Sequence, residues 1–226
     1  VSTAIPEALR AATAFEPQGE RVGNLSWGRG KVDGRPVRVA FVENRFAGGS
    51  IGVAEAERLA ALYKVCARER SPLVLYLDSA GAKVSDGLKA LGAFRSLLHA
   101  ALEASAAGVP LAAVLGANCY GGSSLLAHIA ARRLFSPKTQ LAMSGPAVLA
   151  AAAGMSAIDE MFRAMATAAL SAPARAKASD ANAVADPELD VAAWLRGALA
   201  AAADARARHA ASKARLPAQA EPQREA

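Results

Sequence analysis

Three features of the sequence predict an α/β layer fold. Two apolar runs, Pro72-Leu73-Val74-Leu75-Tyr76-Leu77 and residues 111–115, lack polar alternation. Such runs suit strands buried on both faces of a parallel sheet. Each run leads into a glycine-bearing loop and then a stretch with helical spacing. Asp33-Gly34 separates two short strand-like runs and is a strong hairpin signal. Strand–loop–helix units in succession imply right-handed crossovers, with ligands gathering where strands end.

Taken in order, residues 1–20 hold an alanine-rich helical stretch and then Glu16-Pro17-Gln18-Gly19. They are read as part of a lead-in arm over residues 1–24. Residues 28–42 read as an antiparallel pair, with β-branched residues frequent from Val37 to Val42. Arg45-Phe46-Ala47-Gly48-Gly49-Ser50-Ile51-Gly52 is a glycine-rich loop. A helix is expected over 53–70, because Ala56, Leu59, Ala60, Tyr63 and Ala67 fall on one face. The strand at 72–77 ends in Asp78-Ser79-Ala80-Gly81. A helix over about 85–107 leads through Gly108-Val109-Pro110 into the strand at 111–115. The loop Asn118-Cys119-Tyr120-Gly121-Gly122-Ser123-Ser124 opens a helix through about 131. Short strands are expected at 133–135 and 140–143, before Ser144-Gly145-Pro146. Residues 147–209 read as mostly helix, broken by Pro173 and Pro187. The principal domain is placed at 25–209 and a basic flexible tail at 210–226.

The bulk numbers fit one well-buried domain: 226 residues, 53% hydrophobic and 20% charged. Aromatics are only 5%, so small side chains must bring helices and sheet close together. The net charge of +6 raises the question of nucleic acid. Much of the excess sits in Arg206, Arg208, Lys213, Arg215 and Arg224 with no nucleic-acid motif, so it is read as a solvated tail. Contact with an acidic carrier protein is the functional alternative for that tail. Cys66 and Cys119 lack metal-ligand spacing, so neither a zinc site nor a disulfide scaffold is expected. No basic segment followed by an apolar run opens the sequence, and the apolar stretch at 147–155 is too short to span a bilayer. A cytoplasmic protein without membrane contact is expected.

The chemistry is expected in three loops at strand ends: Gly48-Gly49-Ser50, Ser79-Ala80-Gly81 and Gly121-Gly122-Ser123. Helix N-termini offer unpaired N–H groups, and glycine lets a ligand approach the backbone. These are the requirements of an oxyanion hole. Tight turns and close packing are the plainer reading of each loop taken alone. A phosphate loop is disfavoured, since neither GxxxxGK[ST] nor an early GxGxxG occurs. No GxSxG is present, and His99, His128 and His209 have no metal spacing. Asp78 could cap the next turn or orient a loop, with capping preferred, and Ser123 and Ser124 are read as N-caps before nucleophiles.

The motifs resemble the N-domains of acyl-CoA carboxyltransferases. The resemblance rests on the run from Gly28 to Val37, on Phe46-Ala47-Gly48-Gly49-Ser50-Ile51-Gly52, and on Leu77-Asp78-Ser79-Ala80-Gly81-Ala82-Lys83. It continues in Tyr120-Gly121-Gly122-Ser123 and Ser144-Gly145-Pro146-Ala147-Val148, covering about residues 25–155. It implies a crotonase-like ββα superhelix. The family includes carboxyltransferase components of acetyl- and propionyl-CoA carboxylases and the β subunit of malonate decarboxylase. The resemblance therefore implies a coenzyme A or phosphopantetheine thioester as ligand and no covalently bound cofactor or metal. Biotin would be carried by a partner in a carboxylase. A second, C-type subunit would complete the site, and an acyl-carrier protein is a further partner. Gly121 and Gly122 would supply the oxyanion donors. Gly48, Gly49, Ser50, Ser79, Ala80, Gly81, Ala82 and Ser123 would border the thioester. The sequence departs from the family where an Arg followed by Gln-Glu-Gly is usual, reading Lys83-Val84-Ser85-Asp86-Gly87. Lys lacks the bidentate fork of Arg, and a catalytically silent scaffold subunit is the alternative that this departure leaves open.

Overall fold

The hairpin at Asp33-Gly34 forms as its sequence demands. In the computed structural model, which describes residues 4–202 except 153, 155–158 and 187, Asp33 and Gly34 have φ of 53° and 74°. Two central residues with positive φ match the right-handed twist of the flanking strands. Strand β2 (Leu25–Val32) and strand β3 (Arg35–Val42) pair antiparallel across this turn. From β3 onward the pairing is parallel, through β4 (Leu73–Ser79), β5 (Leu111–Tyr120), β6 (Arg132–Phe135) and β8 (Asn182–Val184). The short β7 (Gln140–Ala142) pairs with the far end of β5, and β1 (Glu16–Pro17) extends the other edge beside β2.

Helices cover both faces. One face carries α2 (Val53–Glu69), α3 (Gly87–Ala106) and α4 (Gly122–Ile129). Leu59, Tyr63 and Cys66 of α2 pack there with Phe94 and Leu97 of α3 and with Leu73, Leu75 and Leu77 of β4. The other face carries α1 (Ala4–Ala12) and a helix α8 over 191–202. Leu9 and Leu195 are fully buried there against Val39, Phe41, Val74 and Tyr76. All seven residues of β4 are buried, which explains its unalternating apolar run. The remaining helices, α5 (Pro146–Ala152), α6 (Glu160–Leu170) and α7 (Ala172–Ala176), follow β7.

Several expectations change. Residues 4–24 are tied to the principal layer, since Leu9 joins its core and β1 joins its sheet. The strand expected at 111–115 runs on to Tyr120, because its second half finds a new partner in β7. Strand β8 arises inside a stretch expected to be helical. Three residues show no period of their own, and pairing with β6 decides their state. Residues 203–226, including the tail assigned to 210–226 and His209, lie outside the described residues.

Candidate active site

The three glycine loops meet at the carboxyl ends of β3, β4 and β5. The loop after β3 holds a 3-10 turn at Ala47–Gly49. Its Gly48 carbonyl accepts the Ala80 N–H at 2.8 Å, and its Ile51 N–H donates to the Gly81 carbonyl at 2.8 Å. Lys83 N–H returns to the Ile51 carbonyl at 2.9 Å, so residues 51 and 82 form a short parallel bridge. Gly49 has φ of 70°, and any Cβ there would run into the Asp78 carbonyl. Gly81 has φ of 97°, and a Cβ there would lie 2.8 Å from the Tyr120 carbonyl and 3.1 Å from the Gly122 nitrogen. The residues singled out from the sequence thus come together, with the turn at 80–82 wedged between the other two loops.

Asp78 orients a loop and caps no helix. Leu77 pairs with Leu115, yet Ser79 pairs with Cys119. Gly116, Ala117 and Asn118 therefore bulge opposite Asp78 alone. The Asp78 carboxylate fills the bulge. Oδ2 accepts the Ala117 N–H at 3.2 Å, and Oδ1 accepts the Asn118 N–H and Nδ2 at 3.1 Å each. Gly116 must lack a side chain, because a Cβ would sit 2.5 Å from that of Asp78. The bulge re-aims the end of β5 toward the helix that follows.

Ser123 and Ser124 also leave the capping role expected of them. Gly121 is the N-cap of α4 and offers no side-chain bond. Ser123 Oγ instead donates to Ser79 Oγ at 2.8 Å, and Ser79 Oγ accepts the Gly81 N–H at 3.1 Å. This buried relay fastens α4 to the 79–81 turn. Ser124 Oγ donates to the Gly121 carbonyl at 2.7 Å. The two glycines then differ. Gly121 N–H is shared between the carbonyls of Ala142 and Met143, both at 3.1 Å, so it is no free donor. Gly122 N–H, at the start of α4, makes no hydrogen bond among the described residues, and neither does Ala82 N–H.

Few side chains at this junction can exchange protons near neutrality. Burial, with Cys119 beside it, pushes the Tyr120 phenol above its usual range, and its hydroxyl is bonded to Gln140 Oε1. Burial likewise pushes up the Cys119 thiol. Lys83, where the resemblance expects Arg, pairs with Asp86 at 3.1 Å. Among the described residues no three His, Cys, Asp or Glu side chains gather to hold a metal ion. His99 and His128 lie on α3 and α4 away from the junction: His99 meets Glu103, and His128 Nδ1 lies 2.6 Å from the Ser124 carbonyl. Asn24, placed by sequence in the lead-in segment, bonds directly to the loop after β3. Only its neighbourhood to Gly23 in a turn hinted at a special role.

The largely parallel sheet and the helices on both its faces make a crotonase-like α/β fold. The chain belongs to the carboxyl transferase domain family, which it matches over residues 7–225. It is 40% identical over 98 residues to the acetyl-coenzyme A carboxylase carboxyl transferase subunit beta 1 of Roseiflexus castenholzii, covering 43% of this chain and 33% of that protein. It is 27% identical over 127 residues to the methylmalonyl-CoA carboxyltransferase 12S subunit of Propionibacterium freudenreichii subsp. shermanii, covering 56% of this chain and 24% of that protein. The matched regions thus span a third and a quarter of those two relatives. Among solved structures, a chain of a Pseudomonas malonate decarboxylase hetero-tetramer in complex with malonate superposes with a TM-score of 0.72 at 20% identity. That match covers 96% of this chain and 91% of the other and establishes the shared fold. Among the described residues no helix is long and apolar enough to cross a membrane.

Proposed function

We propose that this chain supplies one half of an active site that stabilises the enolate of an acyl thioester, adding or removing a carboxyl group at its α-carbon. One observation carries the reading. Among the described residues the Gly122 N–H is uncommitted at a helix start, where three loops converge and Gly81 contributes no side chain in front of it. The Ala82 N–H, one residue from Gly81, is the second donor. Ala82 thus replaces Gly121, whose N–H is taken by β7. Loss of a carboxyl group, or of an α-proton, leaves negative charge on the thioester oxygen. Fixed donors stabilise that charge without reorganising, and such electrostatic stabilisation is often the largest catalytic contribution. The partial positive end of α4 adds to it.

The ligand is an acyl group on coenzyme A or on a carrier's phosphopantetheine, bordered by Gly48, Ala80 and Ala82, with Gly49, Ser50, Ser79, Gly81 and Ser123 buried behind them as supports. Carboxyl transfer to an acyl thioester and decarboxylation of a malonyl thioester both pass through such an enolate, so these donors serve either direction. A second, C-type subunit completes the site. In support, large apolar side chains stand exposed on both sides of the junction: Val84, Leu88 and Leu91 before it, Met143, Val148 and Leu149 after it. Clusters of that kind mark interaction surfaces. In a carboxylase setting, biotin would arrive on a partner.

The test is co-expression with candidate C-type subunits, purification of the complex, and incubation with acetyl-CoA and propionyl-CoA in deuterium oxide. Exchange of α-protons reports the enolate whichever way carboxyl transfer runs. Malonyl-CoA decarboxylation and biotin-dependent transfer then assign the direction. A stoichiometric, folded complex that neither exchanges α-protons nor moves a carboxyl group overturns the reading and leaves a scaffold subunit.

A further inference from the structure

We infer that Asn24 is a positioning residue of this site: its side chain sets the loop at 46–50 and, through that loop, the turn at 80–82 that faces Gly122. The inference rests on the enolate-stabilising reading above. Asn24 lies in a tight turn in which Val22 and Leu25 exchange backbone hydrogen bonds at 2.9 and 2.8 Å. It is 3% exposed. Its Oδ1 accepts the Phe46 N–H at 3.0 Å, and its Nδ2 donates to the carbonyls of Phe46 at 3.1 Å and Ser50 at 2.9 Å. Its own backbone is equally committed. The carbonyl accepts the Glu43 N–H at 3.0 Å, and the N–H donates to Glu55 Oε1 at 3.3 Å.

The carboxamide thus uses both donors and its acceptor, and every side-chain bond ends on one loop. That loop needs an outside hold. Ala47, Gly48 and Gly49 have successive φ values of 46°, 67° and 70°, a run that no ladder of strand or helix can enforce. Its internal bonds are short-range: Gly49 N–H to the Phe46 carbonyl and Ser50 N–H to the Ala47 carbonyl. Asn24 substitutes for a neighbouring strand and holds residues 46 and 50, the two ends of the bend. The opposite side of the bend then presents the Gly48 carbonyl to Ala80 N–H and pairs Ile51 with the turn bearing Gly81 and Ala82. The links therefore run from Asn24 to the 46–50 loop, to residues 80–82, to the space before Gly122. The side chain makes none of its hydrogen bonds to a helix or a strand, so its removal should loosen this loop selectively.

Asn24→Ala and Asn24→Asp in the full chain test this. Amide hydrogen exchange should quicken by at least about tenfold at Gly49, Ile51 and Ala80, with Val37 and Val39 in the distant half of β3 unaffected. In the assembled enzyme, kcat should fall by about a hundredfold, the scale of a small misplacement in an active site. KM for the thioester should change less than about threefold, since the donors act on the enolate. In Asn24→Asp the carboxylate still accepts from Phe46 N–H, but its second oxygen meets the Phe46 and Ser50 carbonyls it can only repel, so this variant should be impaired at least as much as Asn24→Ala. Thr13→Val, which removes the buried 2.8 Å bond from Thr13 Oγ1 to the Leu9 carbonyl at the far edge, controls for lost stability. It should lower Tm and leave kcat unchanged. The inference is overturned if the three amides keep their protection in Asn24→Ala, if they loosen only together with Val37 and Val39, or if Thr13→Val lowers kcat as much. Should Asn24→Ala not fold, Asn24→Ser, which keeps a neutral polar side chain, decides by the same criteria. The exchange measurement needs no substrate or partner, so it fails or holds independently of the assigned reaction.

Discussion

The two edges of the sheet differ in how they hold charge. At the amino edge, a cavity of about 570 Å³ is lined by Arg29, Lys31, Arg38, Glu69 and Arg70 among others. Its charges sit on long side chains. Arg38 reaches Glu69 at 2.7 Å and Gln18 at 3.2 Å, and the hydrogen bond from Arg38 holds the Glu69 carboxyl below its usual range. Such exposed pairs are screened by water and salt and contribute little. At the carboxyl edge charged pairs such as Lys83 with Asp86 stand beside the loops, but the loops themselves present backbone N–H and carbonyl groups, locked by short turns and by the buried Asn24, Asp78, Ser79 and Ser123. A cavity and a cluster of charge mark the amino edge, yet fixed dipoles are what enolate chemistry needs. Cavity size is therefore a poor guide to the proposed site.

The strongest way to break this contrast is Gly81→Ala. The new Cβ would crowd the Gly122 nitrogen and the Tyr120 carbonyl at a φ of 97°. Turnover of the assembled enzyme should fall by at least about a hundredfold, the scale of a lost oxyanion donor. Near-normal turnover in a folded variant, measured beside its circular dichroism, would remove the carboxyl-edge junction from the mechanism.

Gly122→Ala is next, and it acts on packing. Its Cβ would point into the Phe94 ring of α3, which is 4% exposed, and not toward the ligand. Overpacking of this kind costs about 1–3 kcal/mol, readable by urea titration. Phe94→Leu in the same chain should restore part of the loss. A Gly122→Ala chain as stable as wild type would contradict the close approach of α3 and α4.

The core beneath both edges carries a pH signature. Burial pushes the Cys66 thiol up to about 12. An unfolded thiol gives up its proton near 9, so between these values the unfolded chain binds fewer protons than the folded one. Stability is therefore unaffected below pH 9 and falls as pH rises from 9 toward 12. Urea titrations at pH 8, 10 and 11 should show the decline, reduced in Cys66→Ala. A decline of equal size in both chains would assign it to other groups, among them Tyr63, whose phenol burial also raises.

The smallest effect is expected at the amino edge. Arg70 ends α2 with φ of 51°, a conformation that glycine adopts without strain. Arg70→Gly should raise stability by roughly 0.5–1 kcal/mol and leave turnover unchanged. A lower Tm would show that the Arg70 side chain supports that edge.

The legible parts of this molecule are those set by neighbours in sequence. Asp33-Gly34 specified its hairpin, the run at 72–77 specified a strand buried on both faces, and the spacing of Leu59, Tyr63 and Ala67 specified α2. The order of the glycine loops located the junction, because strand ends in parallel sheets lie on one edge. Strand β8 and the second half of β5 were not legible, since each takes its state from a partner strand.

Local chemistry alone thus determined most of the element types, the family resemblance and the loops that meet. Tertiary structure decided which N–H groups within those loops are free. Gly121 and Gly122 are equivalent on paper, but the carbonyls of Ala142 and Met143 take the first, and the second makes no hydrogen bond among the described residues. The same holds for Asp78, which answers a bulge some 40 residues away, and for Asn24, which grips a loop 22 and 26 residues on. A hydrogen bond is a short-range, directional contact. Which donor keeps its proton uncommitted depends on which distant segment the completed sheet brings beside it.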